Sequence, residues 1–171
     1  MKRYFIAVST FFFCQQLAYT QQQTPSVSSN AALQNVLETF MDCLKTRDSA
    51  RFYNLFYDGP VTWMGVYKNH TQEKRKEKDA SLSNYKSSDH KTWFRSVSQG
   101  SVKEEKFYNV HIETDGNIAA LTFDFSYWAG GKKGLWGKES WGLVNINNEW
   151  KITSVIFSME QENILPEPNR N

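Results

Sequence analysis

Two residues in the second half of the chain have the type and setting to move protons. Glu139 lies inside Leu135 to Ile146, an alternating run in which it shares a face with Leu135, Trp141 and Leu143. If buried among aromatic side chains, the carboxyl has its pKa raised and can act as a general acid or base near neutrality; its other reading is an edge salt bridge. His111 is the second acid–base candidate. It alternates with Asn109 and Glu113, opposite Val110 and Ile112, which puts it with the polar set of its run. Asp124 opposes Leu121, Phe123, Phe125 and Tyr127 and is expected on the solvent side. Trp63, Trp93, Tyr127 and Trp141 are the candidate ligand-binding residues. Their flat apolar faces suit a small hydrophobic or aromatic molecule, and their other reading is core filling.

Other chemistries find no footing in the spacing. His70 and His90, beside a polar segment and a helix start, are expected to be exposed. No His-x-x-x-His, paired-Cys or His/carboxylate spacing points to a metal. Gly130-Gly131 joins two strands and does not lead into a helix, so no phosphate loop or cofactor is expected. Gly-x-Ser-x-Gly is absent. Cys43 falls in an apolar helical pattern and reads as a small core residue.

The elements that must position these residues follow from the hydropathy pattern. The chain has 171 residues, 40% hydrophobic and 15% aromatic, enough for one core. Residues 1–20 read as a secretory signal peptide: Lys2-Arg3, an apolar stretch from Tyr4 to Phe13, and Ala18-Tyr19-Thr20 before the cut. Cys14 opens a lipidation alternative, which Phe11 to Phe13 disfavour because a lipobox takes small residues. The protein is thus expected to be exported, to a periplasmic or extracellular space, with no membrane contact after signal removal. Without Lys2 and Arg3, the 20 basic residues become 18 against 18 acids, so the nominal charge of +2 gives no support to nucleic-acid binding.

Residues 21–29 read as a flexible lead. Leu33, Val36, Leu37, Phe40, Met41 and Leu44 mark an amphipathic helix. Asp48 caps a second helix, with Phe52, Leu55 and Phe56 on one face, and Asp89 caps a third, with Trp93, Phe94 and Val97. Val61 to Tyr67 reads as a strand, and the mixed-charge segment 69–79 as a solvated loop or helix face. Four long strands follow, with a hairpin at Asp115-Gly116, and residues 161–171 read as a loose tail. Helices grouped before strands predict an α+β fold: a strongly curved antiparallel sheet wrapping three N-terminal helices into a cone-shaped roll.

Leu37-x-x-Phe40-Met41-x-x-Leu44-Lys45-Thr46-Arg47-Asp48-x-Ala50-x-x-Tyr53-x-Leu55-Phe56-x-Asp58, then Val61-Thr62-Trp63-x-Gly65, resembles the opening of nuclear transport factor 2-like proteins, the SnoaL-like subgroup in particular. Trp141-Gly142-Leu143-Val144-Asn145 and Asn148-Glu149-Trp150-Lys151-Ile152-Thr153 are similar to that family's last two strands. The resemblance spans residues 30–160, taken as the folded domain. It implies a conical pocket for a small hydrophobic ligand, or a homodimer formed through the sheet. It also implies an alternative: a cofactor-independent isomerase, cyclase or dehydratase using Glu139 or His111. The family's isomerases carry a carboxylate base on the first strand, and alignment on Leu55-Phe56 puts Met64 there, which cannot take a proton.

Overall fold

The structure, a computed structural model, describes residues 27–169. The signal peptide and most of the lead expected ahead of the domain lie outside the described residues. The chain begins with helix α1 (Val27–Thr46), so the first helix starts three residues before the expected lead ends. Helix α2 (Ser49–Asn54) and strand β1 (Thr62–Tyr67) follow, then α3 (Asn69–Lys78), β2 (Tyr85–Ser88) and α4 (His90–Val97). The long strands are β3 (Lys103–Thr114), β4 (Ile118–Ala129), β5 (Lys132–Ile146) and β6 (Glu149–Gln161).

The fold is α+β, as the pattern predicts, with two corrections. First, there are four helices. The charged segment 69–79 forms α3, whose lack of an apolar stripe hides it from periodicity. Thr71 anchors it, donating to the buried Glu160 and accepting from the Gln161 backbone N–H at 2.9 Å. Second, the sheet is mixed. Its order is β2-β1-β6-β5-β4-β3, and β1 runs parallel to β6 while every other pair is antiparallel. The exposed edge strand β2 has only four residues, too short to stand out in the sequence.

Local signals act as expected at the turns and caps. Asp48 Oδ1 accepts from the Arg51 N–H, and Asp89 Oδ1 from the Thr92 N–H at 2.8 Å. Asn147 and Asn148 take φ of 53° and 65°, the left-handed pair of a two-residue hairpin turn between β5 and β6. The segment read as a loose tail is docked instead. Trp136 Nε1 donates to the Leu165 carbonyl at 2.9 Å, and Lys133 pairs with Glu167 at 2.8 Å.

Three register shifts bend the sheet: in β3 between Tyr108 and His111, near Tyr127, and between Gly142 and Leu143. Each sets an extra residue against the partner strand, which increases twist and curls the sheet around the helices. The inner face meets the stripe of α1, where Leu33, Leu37, Phe40 and Cys43 are buried against Leu121, Phe123, Trp141 and Ile152. Among the described residues, no helix is long and apolar enough to cross a membrane.

Candidate functional site

Between the concave sheet face and helices α1 and α4 lies a cavity of about 190 Å³. A cavity on the order of 150 Å³ admits benzene, so this one has room for a single substituted ring. Its walls are aromatic: Phe40 from α1, Trp93 from α4, Trp63 from β1, and Phe125 and Phe157 from the sheet. The Trp63 and Trp93 rings pack 4.7 Å apart, and Phe40 stacks on Trp93 at 6.0 Å. Lys86 and Ser96, both exposed, stand at the rim.

Two carboxyls reach this apolar space. Glu139 and Glu105 are 4% and 5% exposed, and among the described residues neither forms an ion pair with a basic side chain. Burial pushes the pKa of Glu139 up to about 8, against a smaller opposing pull from the Trp141 indole N–H, which donates to Glu139 Oε2 at 2.6 Å. Burial, and then the charge of Glu139, pushes Glu105 well above the ordinary carboxylate range. Glu105 Oε2 has no hydrogen-bond partner, and neither has the buried indole Nε1 of Trp63. Tyr127, paired across the strands with Glu105, is raised by burial and by that carboxyl. The cavity floor therefore holds protons at neutral pH, and buried polar atoms without partners lie in its walls.

The structure gathers most of the residues singled out in the sequence. Glu139, Trp63, Trp93 and Tyr127 all line the cavity. Trp141 is fully buried behind it and acts through its bond to Glu139. His111 is a correction. Its exposed ring pairs with Glu113 at 3.2 Å on the outer face, and it does not line the cavity. Asp124 faces outward as expected, bound by Lys138 at 2.8 Å and by Asn109. His90 is a second correction: it is buried and stacks on Phe56 at 4.3 Å, because the first turn of α4 packs against α2. His70 is exposed as expected. Met64 lies on the opposite face of β1 from the buried Trp63 and Gly65, so no inward position of that strand offers a carboxylate.

Glu105 escaped the sequence reading for a definite reason. Strict alternation would group it with Asn109, His111 and Glu113 on the polar face. The bulge at Asn109, where φ is 50°, opposes Asn109 and Val110 to the single residue Phe123. Inward parity thus passes from Glu105 and Phe107 to Val110 and Ile112. The one available signal was Asn at a place where a bulge needs a left-handed residue.

No family model matches the chain, and no curated protein matches it significantly. Solved structures do. A protein of unknown function from Pseudomonas putida KT2440 superposes with a TM-score of 0.59 at 9% identity, over 78% of this chain and 87% of that one. The fold is NTF2-like. Two further similar structures come from Novosphingobium aromaticivorans DSM 12444. One, provisionally called a scytalone dehydratase, gives a TM-score of 0.56 at 10% identity over 78% of this chain and 85% of that one. The other, provisionally called the beta subunit of an aromatic-ring-hydroxylating dioxygenase, gives 0.57 at 12% over 78% and 90%. At such identities the shared property is the NTF2-like cone, and function rests on the side chains inside it.

Proposed function

We propose that this protein binds a small, flat, largely apolar organic molecule in its cone, with the polar end of the ligand at Glu105 and Glu139. One observation carries this reading: an aromatic-walled cavity of about 190 Å³ whose floor holds two buried carboxyls, one with an unpartnered oxygen. A space serving only as core would be closed by apolar side chains, since a buried acid without a partner is costly. The signal-like pattern of residues 1–20 supports an exported setting for this binding. Exposed Ile156 on β6 and Ile118 on β4 support a homodimer through the outer sheet face.

A second reading, cofactor-independent proton-transfer catalysis of the isomerase, cyclase or dehydratase kind, is favoured by the elevated pKa of Glu139. In it Glu139 is the acid–base group, Glu105 is a neutral donor, and His111 has no part.

The test is a set of single-ring compounds titrated into the protein while the tryptophan indole N–H resonances are followed. The signals of Trp63 and Trp93 are expected to shift, and that of Trp150, at the far end of the sheet, to stay. Unmoved Trp63 and Trp93 signals across the set would sink the binding reading.

A further inference from the structure

The charge of the ligand is legible in what the cavity lacks. Two acids occupy one apolar space, and Lys86 is the one basic residue among those lining it. Lys86 stays at the rim, its ammonium 5.9 Å from the centre of the Phe157 ring, and it forms no ion pair with either acid among the described residues. The α1 and α4 residues that line the cavity, Phe40, Trp93, Ser96 and Val97, carry no charge. Apart from Lys86 on β2, the titratable lining residues of the sheet are Glu105, Tyr127 and Glu139, all acidic or neutral.

We propose that the ligand is a small organic amine bound as its cation, its ammonium at Glu105 and Glu139 and its hydrocarbon body against Trp63, Trp93 and Phe125. This rests on the binding reading above and gives that ligand its chemical class. An ammonium brings several donors and no acceptor, which complements an acid pair with one unpartnered oxygen. The aromatic walls add to the attraction, because ring faces draw cations, most strongly where water is excluded. An anion would meet two acids, with Lys86 at the rim as the one counter-charge among the lining residues. A neutral alcohol could bond to the protonated acids but would bring no charge to the pair. Binding is written with the proton balanced: the ammonium cation enters, one carboxylic acid becomes a carboxylate, and its proton leaves to solvent.

The experiment compares three probes of one size, benzylamine, benzyl alcohol and benzoate, by calorimetry and by the Trp63 and Trp93 indole signals. Benzylamine is expected to bind at least about tenfold more tightly than benzyl alcohol, a preference of the size that one added charge–charge contact gives. Its affinity rises between about pH 6 and about pH 8 as the acids lose protons, and calorimetry in buffers of different ionisation heat shows proton release. Glu105→Gln and Glu139→Gln each weaken the amine more than the alcohol. Benzyl alcohol binding as tightly as benzylamine overturns the inference and leaves the pocket standing. An amine affinity equal in wild type and in the double Gln variant overturns it too. If none of the three probes moves the Trp63 and Trp93 signals, the pocket reading falls and takes the inference with it.

Discussion

Trp141 Nε1 donates to Glu139 Oε2 at 2.6 Å, and the two residues stand two positions apart on the inner face of β5. That bond fixes one oxygen of the carboxyl and is the one favourable interaction opposing its burial. Trp141→Phe removes the donor with little change of shape. The pKa of Glu139 then moves above its present value of about 8. Stability falls by about 1–3 kcal/mol from the lost bond and the space left by the indole. A pH titration and a urea melt check both; a downward shift of the pKa would show that the bond does not favour the charged form.

Stability should depend on pH in the direction opposite to that of a salt-bridged acid. Glu139 has a folded pKa of about 8 and an ordinary value of 4.5. Between these values the folded state holds a proton that the unfolded chain has lost, so stability declines as pH rises through the window and levels off above it. Glu139→Gln removes the share of this decline that Glu139 contributes, leaving that of Glu105, and its amide oxygen still accepts from Trp141. The variant should match wild type near pH 4.5 and exceed it at pH 8 by on the order of 4 kcal/mol. Urea midpoints at the two pH values measure the difference; a variant less stable at both would contradict the account.

Gly65 sets the position of a wall. A Cβ placed there would come 2.5 Å from a Phe157 ring carbon and 2.7 Å from Met159 Cε. Gly65→Ala must therefore push the Phe157 ring, which lines the cavity. A destabilisation of about 1–3 kcal/mol is expected, together with shifted Trp63 resonances, since Trp63 meets the Phe157 ring edge-on at 6.3 Å. Unchanged Trp63 signals would mean that the backbone absorbs the methyl group.

Trp93 separates binding from folding. It is half-buried on α4, whereas Phe40 is 1% exposed at the centre of the ring cluster. Phe40→Ala should cost about 3–5 kcal/mol, and Trp93→Ala distinctly less. Trp93→Ala should nonetheless weaken single-ring ligands by about tenfold or more, since aromatic anchors carry a large share of binding energy. Melting curves and titrations of the two variants decide it; equal affinity with and without the Trp93 ring would remove that wall from the site.

Much of this site was legible from residue order because β5 keeps an unbroken alternation from Leu135 to Leu143. Glu139 could be placed inward from its neighbours alone, and Trp63, Trp93 and Tyr127 fell on the same cavity for similar reasons. The α+β class was legible too, from grouped helices followed by long strands, and the cone came from the resemblance of residues 30–160 to nuclear transport factor 2-like proteins. Legibility failed wherever the period broke. Glu105 was hidden by the Asn109 bulge, α3 by its uniform polarity, and β2 by its length. His90 was misplaced because a residue at a helix start is buried when that start packs on another helix. His111 was favoured for its chemistry, although its own alternation put it outside, beside Glu113.

The most direct test of the central claim, that the cone holds a protonated acid pair, is a carbon-13 NMR titration of the glutamate side-chain carboxyls, assigned with Glu105→Gln and Glu139→Gln. The account predicts that Glu139 titrates near 8 in the wild-type protein and Glu105 well above 4.5. Both carboxyls titrating at the ordinary 4.5 would contradict it, because burial would then not be holding protons on the two acids.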